Sequence, residues 1–294
     1  MLTWLIEPLE FEFMRQAIAI GISLGILGAV VGSYLILQQM GMMSGVISHA
    51  VLPGISIAFF LEINLGIGAF VAGILSALIV IGIQKRSRIK VDAAMALTLT
   101  SFLALGVILI TTLETNQINL DEILFGDILG VTGADVWRTF IITAVILGLN
   151  KLFYKELEFY TFDPLGAKAC GLPVNLLYFG LICAITLTIV ASMQTVGVLL
   201  VMSLLVGPAI TAYLLVKELF QMMILGAIIG GISSILGMYS SYYFDLPSGA
   251  AIVMVIFSFF LIALLFSPSQ GLFTEPELRS KIAKLFSKDN NQDS

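Results

Sequence analysis

A single histidine is the strongest candidate for metal chemistry in this sequence. His49 is the only imidazole among the 294 residues, and it lies in a mostly apolar stretch, residues 46–61. A neutral imidazole binds transition metals, although a buried histidine more often completes a polar contact. Both roles stay open from this residue alone.

The patterns that would indicate an enzyme are missing. The sequence has no G-x-x-x-x-G-K-[ST] phosphate loop, so it predicts no ATP site of the usual kind. It has no H-E-x-x-H motif, and one histidine cannot build a zinc protease site or a histidine-based catalytic triad. We therefore expect that the chain is not an enzyme. If it drives transport, the energy comes from a partner or from an ion gradient.

A short segment, residues 161–173, favours a partner. Asp163 is a good N-cap, Pro164 suits the first helical position and Gly171 suits the C-terminal stop, so the sequence predicts a helix of about two turns. A helix this short has little stability alone. It should persist only when it is packed on something, either a docking ATPase or the rest of its own chain as a rigid connector.

The elements that carry these residues are predicted to be membrane-spanning helices. Hydrophobic residues make up 59% of the chain, charged residues make up 11%, and the mean hydropathy is +1.06. A membrane helix needs about 20 apolar residues. Seven stretches without any charged residue or histidine meet this criterion, and two weaker ones join them. The strong stretches are 17–37, 65–83, 93–113, 174–193, 195–216, 219–244 and 246–273, and the weak ones are 46–61 and 136–150. We expect nine spans, with eight as the alternative, in one all-α permease domain, 1–273.

The basic residues predict the orientation. With nine spans and an outer N-terminus, twelve of the 14 Lys and Arg residues lie on the inner side, and only Arg15 and Arg138 lie outside. This is the distribution that the positive-inside rule requires. It places the polar tail, residues 274–294, and the segment 161–173 in the cytoplasm. Residues 1–14 are predicted to lie at the membrane interface.

Glycines are spaced for close helix packing. Gly21, Gly25, Gly28 and Gly32 recur on one helical face, and Gly226 with Gly230 repeats the spacing. Small residues at such intervals let helices approach closely in lipid. They indicate a compact helix bundle and carry no evidence of transport by themselves.

Five short motifs follow one another within residues 15–268: SHAVLPG at 48–54, FGDILGV at 125–131, FDP at 162–164 with Ala167 and Gly171, VGVLLV at 196–201 with GPA at 207–209, and DLPSG at 245–249. Together they resemble the manganese, zinc and iron permease family of ABC importers, and the manganese type most closely. Each motif alone is weak, and their common order makes the resemblance specific.

The resemblance implies an assembly in the cell membrane. Two copies of the permease would form the pathway, two cytoplasmic ATPase subunits would drive it, and an outer binding protein would deliver a divalent metal as the transported substrate. No permanently bound cofactor and no nucleic acid are implied. The segment 161–173 would be the coupling helix, with the ATPase contact at Asp163, Pro164, Gly166, Ala167 and Gly171.

The sequence departs from the family at one position. One helical turn before the histidine the family commonly has Asp, whereas Gly45 stands here. A carboxylate with an imidazole suits manganese or zinc better than an imidazole alone. A second copy of His49, Asp127 from the outer loop, or bound water could replace the missing carboxylate. Which of manganese, zinc or ferrous iron is carried stays open.

Three other functions are alternatives to this one. A secondary transporter needs carboxylates inside the membrane, and the seven strong stretches contain none. A siderophore or cobalamin permease would share the glycine-rich helices, but it is not expected to carry the segment 48–54 in this form. A purely structural membrane protein would show no ATP-dependent cation uptake.

Overall fold

The computed structural model describes residues 3–113, 126, 128 and 130–267, and this part of the chain is helical, without strands. It forms twelve helices: α1 Thr3–Glu10, α2 Glu12–Leu37, α3 Met43–Phe60, α4 Leu65–Arg86, α5 Val91–Thr112, α6 Gly133–Leu152, α7 Tyr154–Phe162, α8 Pro164–Ala169, α9 Val174–Val196, α10 Val198–Leu215, α11 Leu219–Phe244 and α12 Ser248–Phe266. The predicted all-α helix bundle is confirmed. The predicted tail, residues 274–294, lies outside the described residues.

Eight of these helices, α2 to α5 and α9 to α12, are long and apolar enough to cross a membrane. A ninth span arises if α6 and α7, which meet at a bend of 71°, are taken together. Both predicted numbers of membrane spans, eight and nine, are therefore compatible with the structure. The weaker apolar stretch 136–150 lies inside α6, whose 20 residues correspond to a length of about 30 Å.

Polar caps fix where some spans begin. The Asn64 side chain accepts a hydrogen bond from the Gly66 backbone N–H at 2.9 Å, which starts α4. Thr132 and Asp135 form a reciprocal capping box at the start of α6. The first span begins earlier than predicted, since α2 starts at Glu12 and follows α1 almost directly. Charged first-turn residues are compatible with a helix end at the membrane surface.

Two groups of helices form the bundle. In the first, α2 packs against α6, α10 and α11, and α12 packs against α10 and α11. In the second, α3 packs against α4 and α5. Helix α9 contacts α2, α3, α4, α6 and α10, so it joins the two groups. The largest apolar core runs through both, and it includes Met14, Tyr34, Ile47 and Ile189.

Glycines let the backbones of α2, α10 and α11 touch. A β-carbon at Gly25 would lie 2.7 Å from the carbonyl carbon of Gly230 in α11. A β-carbon at Gly28 would lie 2.6 Å from the carbonyl oxygen of Leu204 in α10. No side chain fits at these distances, so glycine is required there. We call this contact region the glycine seam; its members are Gly21, Gly25, Gly28 and Gly32 of α2 with Gly226 and Gly230 of α11.

The stripe of glycines on α2 contacts two different helices. Gly21 and Gly25 face α11, whereas Gly28 and Gly32 face α10. Ser234 of α11 also donates a hydrogen bond of 3.0 Å across the seam to the carbonyl oxygen of Gly21. The sequence predicted close packing, and the structure adds which helices meet.

Candidate functional site

His49 lies on α3 with its side chain only half-buried, but its Nδ1 atom is enclosed. Among the described residues, neither this atom nor the hydroxyl of the neighbouring Ser48 has a hydrogen-bond partner. Pro53 lies four residues further along the same helix. Because proline has no N–H, it cannot donate the helical hydrogen bond to the His49 carbonyl. The structure therefore places an imidazole nitrogen, a hydroxyl and a backbone carbonyl without their usual partners on one turn.

Gly45 lies one turn before His49, about 6 Å along the helix axis by the usual rise per residue. A β-carbon at Gly45 would lie 3.0 Å from the Met202 Cε atom of α10 and 3.1 Å from the Leu99 Cδ1 atom of α5. These two side-chain ends fill the space in which a carboxylate side chain at position 45 would begin. No carboxylate from another part of the described chain takes that space.

A large cavity starts at this glycine. Its volume is about 730 Å³, and it is bounded by the α2–α3 turn, the first turns of α3 and α5, and one face each of α10 and α12. We call it the Gly45 groove; its lining includes Gln39, Met42, Gly45, Asp92, Met202 and Phe257. The lining is mostly apolar, and the groove is open on one side of the single chain. Asp92 and Met202 are residues that the sequence patterns did not single out.

The described residues contain no group of three or more His, Cys, Asp and Glu side chains that could hold a metal ion. Asp127, which was predicted as a second metal ligand, lies outside the described residues, so its reach to His49 stays a prediction. Its neighbour Ile128 is 3% exposed in the main core. Gly126, with φ +67°, packs on the backbone of Val196 and Gly197 between α9 and α10. Gly126 is therefore anchored on two spans, and Ile128 in the main core.

The predicted coupling helix is present as α8. The Asp163 carboxylate accepts a hydrogen bond of 2.8 Å from the Gly166 backbone N–H, and Pro164 occupies the first helical turn. Gly171 follows the helix with φ +82°, a conformation that favours glycine. Gly166 packs directly against the capping Asp163 carboxylate. The sequence-predicted residues thus build the short helix itself.

The predicted contact of Ala167 with an ATPase stays a prediction, and the structure shows where this residue lies. Its side chain is 0% exposed and packs against its own chain. Leu165, two residues earlier, is 81% exposed and points away from the bundle. Leu165 is a large apolar residue in a short, mostly polar connection. This contrast was the sequence signal for it, and none of the patterns described above includes it. Ala167 packs α8 against the rest of the permease, and Leu165 is the large apolar side chain that α8 exposes.

Comparisons with known proteins agree with these features. The model of the ABC 3 transport family matches residues 10–267. The "Manganese transport system membrane protein MntC" of Listeria monocytogenes is 43% identical over 264 residues, which cover 90% of this chain and 94% of that protein. The "Probable iron transport system membrane protein" of Haemophilus influenzae is 41% identical over 268 residues, which cover 91% of this chain and 98% of that protein.

A solved structure resembles the whole fold. The structure described as "PsaBC from Streptococcus pneumoniae in complex with Fab" contains a chain with 41% sequence identity and a TM-score of 0.82. The match covers 92% of this chain and 98% of that chain. Because the family model covers the bundle from the start of α2 to the end of α12, this chain belongs to the ABC 3 transport family.

Proposed function

We propose that this chain is the membrane permease subunit of an ABC importer that carries a divalent transition metal, in the first place manganese, into the cytoplasm. The observation that carries the proposal is the turn around His49. An enclosed, unpartnered imidazole nitrogen in a membrane-spanning helix is costly unless it serves a ligand. This turn lies next to the Gly45 groove, through which an ion can continue.

The composition of the site favours transient binding. One imidazole with a carbonyl, a hydroxyl and water makes a weak ligand set, and a pathway needs sites that release the ion as readily as they bind it. Manganese is preferred over iron because the relative with the higher identity is named for manganese transport. Selectivity among metals begins, in this proposal, at the separate binding protein.

The proposed importer gives this chain three partners, and features of its surface favour two of them. Leu165 on α8 supplies an apolar contact for a cytoplasmic ATPase, since so exposed a leucine on a short rigid helix gains by burial. The open side of the Gly45 groove is closed by a second copy of the chain, so that the pathway runs between two permeases. An extracytoplasmic metal-binding protein delivers the ion on the opposite face.

The orientation is part of the proposal. Lys85 and Arg86 lie in the last turn of α4, and Arg88 and Lys90 follow before α5. The positive-inside rule places this turn, and with it α8 and the C-terminus, in the cytoplasm. In a variant without Cys170 and Cys183, Glu62→Cys should react with an impermeant thiol reagent added to intact cells. Arg88→Cys should react only after the cells are opened, and the reverse pattern would invert the orientation.

Uptake measurements test the transport function itself. The chain is expressed with its ATPase and binding protein in a strain that lacks other manganese importers. We expect ATP-dependent uptake of manganese, with zinc and ferrous iron as competitors in parallel. Uptake of a metal chelate without any uptake of the free ions would favour the siderophore or cobalamin type instead. No ATP-dependent uptake of ions or chelates would refute the proposal.

A further inference from the structure

One carboxylate lies in the Gly45 groove at some distance along the chain from the histidine. Asp92 is the one charged side chain among the described residues that line the groove. It belongs to the first turn of α5, and its side chain is exposed. The sequence motifs do not include it, and nothing in the packing of the bundle requires an acid there.

Asp92 lies at the end of the groove that faces the membrane surface. The first turn of α5 and the α2–α3 turn, which contains Gln39 and Gly41, are both on the side on which α2 and α4 end. Both turns contribute to the lining. Gly45, beside His49, belongs to the same lining. One cavity thus joins Gly45, one helical turn before His49, to the exposed carboxylate of Asp92.

The charge of Asp92 is unusual for its surroundings. The connection before α5 carries Arg88 and Lys90, and α4 ends with Lys85 and Arg86. A basic surface repels an arriving divalent cation, whereas a carboxylate at the groove mouth gives it a local binding position.

The chemistry of the groove explains why a carboxylate is useful there. An ion that leaves the imidazole passes the thioethers of Met42 and Met202, which are soft ligands and suit manganese poorly. The other side-chain oxygens of the lining, those of Gln39, Ser44 and Ser203, are uncharged. An exposed carboxylate surrounded by water binds a hard cation weakly, lets it regain its hydration shell and releases it.

We propose that Asp92 is the exit site of the pathway, which holds the divalent ion briefly at the cytoplasmic mouth of the Gly45 groove. It supplies at the exit the carboxylate that Gly45 does not supply beside His49. The inference deepens the proposed function and rests on it, because it assumes that a metal ion moves along this groove towards the cytoplasm.

Uptake kinetics give the first test. Asp92→Asn removes the charge at nearly constant size, and we expect manganese uptake per folded permease to fall about fivefold to tenfold at saturating metal. Asp92→Glu, which keeps a carboxylate, should retain most of the rate. Glu156→Gln on α7 is the matched control, because it removes one carboxylate outside the groove, and it should transport like wild type.

A charge probe gives the second test, and it does not require transport. In a variant without Cys170 and Cys183, Met42→Cys places a thiol in the groove lining. In inside-out vesicles at low salt, a cationic thiol reagent should react faster than an anionic one of similar size. Asp92→Asn should reduce that preference by about threefold to tenfold, and Glu156→Gln should not change it.

The outcomes separate the two proposals. If wild type shows no uptake, the transport function fails, whatever the probe shows. If wild type transports and Asp92→Asn transports equally well, the exit site is refuted although the function stands. Equal loss in Asp92→Asn and Asp92→Glu, or an unchanged reagent preference at Met42→Cys, would also overturn the exit site.

Discussion

The glycine seam and the Gly45 groove both depend on missing side chains, yet their neighbours differ. At the seam, Gly25 and Gly28 face the backbones of Gly230 and Leu204, which cannot move unless whole helices move. At the groove, Gly45 faces the ends of the Met202 and Leu99 side chains. Those ends can rotate away, and methionine is especially adaptable. The same residue type thus fixes one region and leaves the other adjustable.

This difference divides the bundle into parts with different tasks. Close backbone contact makes α2, α10 and α11 a rigid unit, because tightly packed interiors transmit displacement and resist local change. The groove borders that unit at α10 and borders α3 and α5 on the other side. A change in its width can therefore arise from side-chain rotation or from movement of α3 and α5 relative to the seam.

The largest effect is expected when one methyl group is added at the glycine seam, which tests whether the helix backbones touch there. Gly25→Ala forces α2 and α11 apart, and overpacking of this kind costs about 1–3 kcal/mol or more. We expect a clear loss of folded permease after heating in detergent, measured by fluorescence-detected size-exclusion chromatography.

Gly148→Ala in α6 is the matched control for this change. A β-carbon there meets nothing within 4 Å, and alanine favours a helix over glycine by about 0.5–1 kcal/mol. Its stability should be equal to wild type or slightly higher. Equal stability of Gly25→Ala and Gly148→Ala would show that the seam is not tightly packed in the membrane.

The next effect concerns α8, where a buried and an exposed side chain alternate. Leu165→Arg should abolish stimulation of the ATPase while the permease remains folded. The Leu165 side chain is exposed, so its replacement leaves the packing of the bundle unchanged. Ala167→Arg should instead lower the amount of folded permease, because its side chain is enclosed by its own chain. ATPase assays of the purified complex measure the stimulation, and size-exclusion chromatography measures the amount of folded permease. Leu165→Met is the control in both. Normal stimulation in Leu165→Arg would exclude α8 as the coupling element.

Sequence patterns predicted the helices well and the side-chain contacts only in part. Uncharged runs of residues predicted the membrane spans, and the pattern of Asp163, Pro164 and Gly171 predicted α8. Both predictions succeed because helix formation here depends on residues close together in the sequence. The burial of Ala167 was not predictable, because it depends on how α8 folds back on the bundle. The contact of Met202 with Gly45 joins residues 157 positions apart in the sequence, and no local pattern reports it.

A smaller effect is expected when the groove receives a carboxylate at position 45. Gly45→Asp must displace Met202 and Leu99 by a few tenths of an ångström or more, so the single variant should transport more slowly than wild type. Adding Met202→Ala makes room, and the double variant should recover uptake and shift preference towards manganese over ferrous iron. Competition between the two metals in the uptake assay measures the shift. Undiminished uptake by the Gly45→Asp single variant would mean that Met202 does not fill the space beside residue 45.

The most direct test of the central proposal is manganese uptake by the His49→Gln variant. Glutamine keeps a polar side chain of similar reach but removes the imidazole. We expect uptake of manganese, zinc and ferrous iron to fall to a small fraction of the wild-type rate, with an unchanged amount of permease in the membrane and unchanged assembly with the ATPase. Wild-type uptake of all three metals by this variant would show that His49 only completes a polar contact in the helix bundle.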